Sequence, residues 1–445
     1  MLGTLSEIGL VLHSKEDKQI IKEETRMDEE KLAHLPSYRW RVLTMASLVY
    51  FAVYGLSYMC MPALFYEMSQ KSSFRLNQLL LAWGMVPLAG LIANISAGML
   101  GDRFGPRLVC GLGLIACTIF GASRALSGNF PTLMIVMFLF GGSIPLITVN
   151  VPKILGMWFP PQQLGLANGI ALASAGGGSA LALLISGTIL SPALGGWQNV
   201  LYLWGGLTAL LAILWLLTVR DKHIDKAMPL SRTSVSIFAV LLSLLRKRQI
   251  LILCLIYLLF MGGWLGSMGS IPFLLEEVRG WSAASAHGLV STLAWFFVLG
   301  SLVLPALSDR VGLRRPILSV GFLVCGVSSF LGLFLAAFLP VSWGIWVLIA
   351  IGGLFAGGMP LAFVIPLESP GIGPEIAGTA VGMIFTVGCV GGFIFPLLNG
   401  LISGPSPGVS AIIYIALLCY VIGFGGAGIL VWLLKETGPK LRDDA

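Results

Sequence analysis

Gly98-Met-Leu-Gly-Asp102-Arg103-Phe-Gly105-Pro-Arg107 breaks a long apolar run with an acid, two arginines and a glycine placed for a tight turn. Asp309-Arg310-Val-Gly312-Leu-Arg314 does the same later in the chain. The second copy follows the first by 207 positions (309 − 102). The same spacing relates Tyr50 to Tyr257 and Gly55 to Gly262. It then drifts to 213, relating Gly165 to Gly378 and Gly187 to Gly400. A 445-residue chain that repeats itself in this way consists of two homologous halves. Parallel repeats of that kind build carriers whose solute site lies at the seam between the halves.

Around these copies the sequence is almost uniformly apolar. Hydrophobic residues make up 57% and charged residues 11%, where a soluble domain carries about 25% charge. Apolar runs lie near 41–66, 79–100, 107–127, 131–158, 164–190 and 197–219, then near 250–275, 286–308, 315–338, 343–367, 376–402 and 410–434. Each reaches the roughly 20 residues that a spanning helix needs. The expected fold is an all-α integral membrane protein, with twelve transmembrane helices in two pseudo-symmetric six-helix bundles. Residues 1–40 read as a charged leader, 41–219 as the first bundle, and 220–249 as a charged linker with an amphipathic helix over 234–245. Residues 250–434 read as the second bundle and 435–445 as a tail. The even number of spans puts both termini on one side. The loops there carry Arg103, Arg107, Arg220, Lys222, Arg246, Arg310, Arg314 and Arg315, against Lys71, Arg75, Arg124 and Arg279 opposite. The positive-inside rule makes the basic side cytoplasmic. The net charge of +7 therefore speaks of orientation, with no nucleic-acid partner expected.

The doubled loop motif with twelve spans resembles the major facilitator superfamily over about residues 41–434. Gly98 is read as a point of close helix approach, Asp102 as an acid that can pair across to another helix, Gly105 as the turn, and Arg103 and Arg107 as anchors at the cytosolic face. Asp309, Arg310 and Gly312 form the degenerate second copy. In that family the loop stabilises the outward-open state, so the resemblance implies a gating role for Asp102. Pro152-Lys153, Trp158-Phe-Pro160 and Gly165-Leu-Ala-Asn168-Gly169 resemble the fourth-to-fifth span junction of the cyanate-permease and nitrate/nitrite-porter branches. Nitrate porters carry an arginine in spans 2 and 8, whereas 79–97 and 286–307 contain no Arg or Lys.

Charges inside spans are expensive and usually functional. Two are candidates. Lys153 can snorkel to the headgroups or touch solute or gate. Glu368 sits at the inner end of span 10, where it is either a surface group or a partner for Lys153. Glu67, Glu276 and Glu277 fall at outer span ends and read as solvated, and His287 as a span-edge residue. The midplane then holds no formal charge, which favours a neutral, weakly polar or monovalent solute held by hydroxyl, amide and aromatic groups. Tyr50, Tyr54 and Tyr58 recur every fourth residue and share a helical face. That stripe either faces a wet cavity or packs with satisfied hydroxyls against another span. Tyr257 and Trp264 on span 7 join it, with Asn150 and Trp295 as further solute-binding candidates.

Secondary active transport of a small organic solute or monovalent anion, by rocker-switch alternating access across the cytoplasmic (inner) membrane, is the leading expectation. Export of lipophilic compounds and a non-transporting receptor are the alternatives. No catalytic residue, metal cluster or cofactor motif is present. The seven cysteines include no CxxC pair and read as small core residues. The expected partners are a small-molecule substrate, the bilayer, and a coupling proton or counter-solute, around a monomer.

Overall fold

The computed structural model describes residues 38–72, 74–220, 243–368 and 374–437. Among them, twelve helices are long and apolar enough to cross a membrane. They are α1 Tyr38–Lys71, α2 Leu76–Phe104, α3 Pro106–Leu126, α4 Phe130–Trp158, α5 Gln163–Leu194, α6 Trp197–Thr218, α7 Arg248–Arg279, α8 Ala283–Val311, α9 Arg315–Phe338, α10 Trp343–Pro366, α11 Thr379–Ser403 and α12 Val409–Val431. The leader through 37, most of the linker helix expected over 234–245, and the tail from 438 lie outside the described residues.

All of these segments are helical for one reason: a backbone in hydrocarbon must satisfy its own hydrogen bonds. Gly105 and Gly312 end α2 and α8 with φ of 89° and 75°, a conformation that L side chains rarely adopt. The two matched loops therefore turn alike. The 207-residue repeat also appears in space, because Gln70 Nε2 donates to Glu277 Oε2 at 3.2 Å, joining residues 207 apart at corresponding ends of α1 and α7. Tyr66 and Phe273 meet on the same two helices, ring centroids 5.9 Å apart. The contacts advance together along α1 and α7, so the two helices are parallel and the halves share one orientation.

The seam between the halves is made by α1 with α7, α2 with α11, and α5 with α8. Its tight part lies away from Asp102. A Cβ built on Gly84 would lie 3.1 Å from Phe393 Cδ2, one on Gly400 3.2 Å from Asn77 Cα, and one on Gly176 2.7 Å from Val298 Cγ2. Ser291 Oγ donates to Ala180 O at 2.7 Å, and Trp83 Nε1 to Leu265 O at 3.4 Å. Toward the Asp102 end, the rows of side chains that make these contacts continue into the open. Asn94 is half-buried and Phe385 exposed. The halves are in contact at the end that carries Gln70 and Glu277, and the cross-seam contacts named here stop short of the basic end, which carries Arg103 and Arg310.

Candidate functional site

At the seam α1, α2, α7 and α11 come together, and the candidate solute-binding side chains are read against that wall, termed the cavity side of the bundle. On α1 the regular helix gives way to a π-helical stretch over Tyr50–Tyr58. Widening the turn alters the face each residue presents, and the three tyrosines separate. Tyr50 is buried, its hydroxyl donating to Thr148 O on α4 at 3.1 Å. Tyr58 is buried and stacked on Trp83, with centroids 4.2 Å apart and planes 18° apart. Tyr54 is only part buried and meets Tyr58 edge-on at 5.5 Å. Its hydroxyl has no partner among the described residues. The expected stripe thus reduces to one open phenol backed by two packed ones.

Across the seam, Tyr257 of α7 lies near Tyr54, with Cys389 of α11 beside both. The Tyr257 hydroxyl is also without a partner among the described residues. Its ring is held edge-on by Phe363 of α10 at 5.2 Å and Phe385 of α11 at 5.1 Å, and those two stack at 4.6 Å with planes 6° apart. Trp264 stacks on Phe260 and tilts against Phe297 at 4.7 Å. Trp295, exposed on α8, lies 3.9 Å from where a Cβ of Gly177 would be. Asn94 reaches the Cys389 thiol from α2. This wall offers flat apolar faces, two free phenols and one amide.

Other expected site residues lie elsewhere. Asn150 is fully buried between α2 and α4, donating to Ala97 O at 3.1 Å and Leu146 O at 3.0 Å. It bridges helices and has no face on the cavity. Lys153 donates to Gly98 O at 2.8 Å and pairs with Asp102. Glu368 does not meet Lys153. It makes a two-pronged pair with Arg314, Nη2–Oε1 3.0 Å and Nε–Oε2 3.3 Å, and Arg314 also holds Asp309. That fork raises the Arg314 guanidinium above its ordinary range. Each half therefore ties its own loop motif. The closest approach of α2 and α4 falls at Gly101, where a Cβ would meet Asn150 Oδ1 at 1.7 Å, whereas a Cβ on Gly98 would make ordinary contact with Val149 Cγ1 at 3.6 Å. Arg107 donates to Leu216 O at 2.6 Å, and Arg103 lies 5.2 Å over Phe104. Arg310 is exposed.

The charge inventory also changes. Arg124 is fully buried between α1, α3 and α4. It donates to Gly121 O and Ser57 O at 2.9 Å each and lies 4.2 Å over Phe140. It grips the end of the π-helical stretch but does not line the cavity. Glu276 and His287, expected to be solvated and at a span edge, are both buried. Glu67 is no freely solvated acid either, since it holds Lys71, Ser191 and the Trp197 N–H. Asn94, Phe363, Phe385 and Cys389 escaped the sequence reading. Two of them carry a signal there: Asn94 continues the row of Gly90 on α2, and Phe385 that of Cys389 on α11.

The profile of the Major Facilitator Superfamily matches residues 46–396. The chain belongs to that superfamily. Two curated members show how broad its neighbourhood is. The 3-(3-hydroxy-phenyl)propionate transporter of Escherichia coli is 24% identical over 393 residues, 83% of this chain and 88% of that one. The probable nitrate/nitrite antiporter NarK1 of Thermus thermophilus is 28% identical over 261 residues, and the chain spans only 56% of its length. Among solved structures, a bacterial homologue of the human lysosomal transporter Spinster, inward-facing and unoccupied, superposes with a TM-score of 0.71. It is 17% identical and covers 89% of this chain and 97% of that one. The chain is a multi-pass membrane transporter of the facilitator fold, not an enzyme.

Proposed function

We propose that the chain carries a small, flat, monovalent organic acid, an aromatic monocarboxylate, across the cytoplasmic membrane by alternating access. One observation carries this reading. Tyr54 and Tyr257, from opposite halves, lie near each other with hydroxyls that have no partner among the described residues, and Tyr257 packs against the stacked Phe363–Phe385 pair. Two phenol donors can share one carboxylate, and the stacked rings accept a flat ring beside it. A single negative charge among neutral donors is tolerable where a dianion is not, because desolvating each charge costs several kcal/mol. The 3-(3-hydroxy-phenyl)propionate carrier, matched over most of both chains, supports this solute class. Nitrate fits less well, since no Arg or Lys stands on α2 between 79 and 97 or on α8 between 286 and 307.

The basic end of the bundle is read as cytoplasmic, with both termini there, so the cavity opens inward. Asp102, Arg103, Gly105, Arg107, Asp309, Arg310, Gly312 and Glu368 then serve the inner gate, and the carrier works as a monomer. Proteoliposome counterflow with benzoate, 3-phenylpropionate, their primary amides, nitrate and a lipophilic cation tests the reading. Saturable exchange of an aromatic monocarboxylate is expected. Exchange of nitrate alone, or of the cation alone as the export reading requires, refutes it.

A further inference from the structure

Outside the cavity, one pair of titratable groups is buried with no role in solute binding. Glu276, near the end of α7, is 8% exposed, and His287, on the first turns of α8, is 2% exposed. His287 Nε2 lies 2.8 Å from Glu276 Oε1. The approach is not aligned as a hydrogen bond, and both imidazole nitrogens and Oε1 are buried without a hydrogen-bond partner. The pair stands at the closed outer seam. A Cβ on Gly187 of α5 would lie 2.5 Å from His287 Cε1, 2.9 Å from His287 Nδ1 and 2.2 Å from Ala63 O of α1. Gly187 and Ala63 belong to the other half, so the imidazole is covered only while α5 and α8 are together.

The charged and titratable surroundings are few. From α1, Tyr66 comes close to both Glu276 and Glu277, and Glu67 is engaged by Lys71 at 2.8 Å. On α7, Glu277 is bonded to Gln70, and Arg279 is turned away to Ala336 O and Leu339 O of α9 at 3.2 and 3.3 Å. α8 holds no other ionisable residue before Asp309, α5 presents glycine and serine, and α10 contributes Trp346 against Gly288. Among the described residues, no cation other than His287 itself pairs with Glu276.

We propose that Glu276 and His287 form a proton-binding site at the outer gate, and that one bound proton is the condition for α5 and α8 to close over them. Counting charge gives the reason. With no proton the buried pair carries one negative charge, with one proton it is neutral overall, and with two it carries one positive charge. Burying an uncompensated ion costs several kcal/mol, so the closed seam selects the singly protonated pair. In the outward-open form the same groups are hydrated, so both charge states of the pair are accessible. Closure from the unprotonated open pair therefore takes a proton from outside. The closed form holds more protons than the open form, so raising the pH favours opening. The limit is about tenfold in the open-to-closed ratio per pH unit for one proton. In the alternating-access cycle proposed above, outside acidity would promote the inward turn. The proposal's test is conformational and needs no solute, so its failure leaves the solute reading untouched.

Spin labels at Leu194→Cys and Val341→Cys, exposed at the outer ends of the two halves, report the seam in the full chain with Cys389→Ala, in nanodiscs. A second pair at Phe104→Cys and Val311→Cys reports the basic end. From pH 5.5 to 8.5 the outer pair is expected to gain a long-distance population while the inner pair shortens. Glu276→Gln should flatten the response, whereas His287→Gln, which leaves Glu276 to be buried with the proton alone, should keep it. An unchanged distribution in the parent, or an undiminished response in Glu276→Gln, overturns the proposal. Imidazole C2-hydrogen exchange in the parent, followed by mass spectrometry, needs no variant at the site. It must show His287 titrating across the same range, and a flat profile also overturns the proposal.

Discussion

Replacing the two unpartnered phenols, Tyr54 part buried and Tyr257 buried, measures both where the solute sits and what charge it carries. Tyr54→Phe and Tyr257→Phe each remove one hydroxyl and leave the ring and its packing in place. Neither hydroxyl has a protein partner among the described residues, so the free protein loses no internal bond and folding should be unaffected. A hydrogen bond to a charged acceptor contributes about 1.5–3 kcal/mol, and one between neutral groups about 0.5–1.5 kcal/mol. At about 1.4 kcal/mol per decade, a carboxylate solute should lose roughly 10–150-fold in affinity per phenol, and its primary amide only about 2–13-fold. The double variant should fall short of the product of the singles, because both donors share one acceptor and couple through it. Titration calorimetry with 3-phenylpropionate and its amide reads all of this. Equal losses for acid and amide would show that the site does not bind the acid through charge. Losses under twofold for both would place the solute elsewhere.

Four further outcomes follow from the packing. Asp102→Asn should slow counterflow several-fold while leaving solute affinity within about twofold; the opposite pattern would make Asp102 part of the solute site. Gly300→Ala should lower the unfolding temperature, since the new methyl would lie 1.9 Å from Leu354 O, and overpacking typically costs about 1–3 kcal/mol. Gly206→Ala, with nothing within 4 Å, should be neutral or stabilising by the ~1 kcal/mol helix preference of Ala. Arg314→Met should cost about 3–5 kcal/mol by stranding Glu368, and adding Glu368→Gln should recover part of it. If the double variant is no more stable than Arg314→Met, the fork is not what holds that corner. Because the hydrogen bond to Glu368 raises the Arg314 guanidinium, against the opposing effect of burial, its contribution should hold through neutral pH and, on the alkaline side, be lost only above the arginine range.

Much of this architecture is visible in the sequence because membrane folds are ruled by one strong constraint. Apolar runs of spanning length, paired with Asp-Arg-x-Gly at a 207-residue spacing, leave few alternatives to two six-helix halves. The site is less legible, and each shortfall has a local cause. The tyrosine row fails as a stripe because α1 departs from α-helical winding over Tyr50–Tyr58, and four-residue spacing marks a common face only where the winding is regular. Arg124 reads as a loop residue by its position, yet its length lets the guanidinium turn back into the bundle to Ser57 O. Glu276 reads as solvated because span ends usually are; only the approach of α1 and α5, which no single-helix pattern encodes, buries it. Phe363 and Phe385 belong to different helices and meet only in the folded protein.

The two copies of the loop motif are tied unequally, and the inequality bears on which of them moves. Lys153 and Asp102 have side chains 31% and 72% exposed. Such a surface pair is worth about 0–1 kcal/mol, so Asp102 can exchange partners at little cost. Arg314 and Glu368 are 7% and 13% exposed, and Glu436 caps the backbone of Arg314 and Arg315 at 2.8 and 3.1 Å. Breaking that corner would strand a buried charge. In the proposed alternating-access cycle, the first copy would be the one free to re-pair as the basic end closes, while the second stays intact as the frame it closes against. The near-identical sequences Asp102-Arg-Phe-Gly and Asp309-Arg-Val-Gly thus do different physical work, and the difference comes from what each half packs around its arginine.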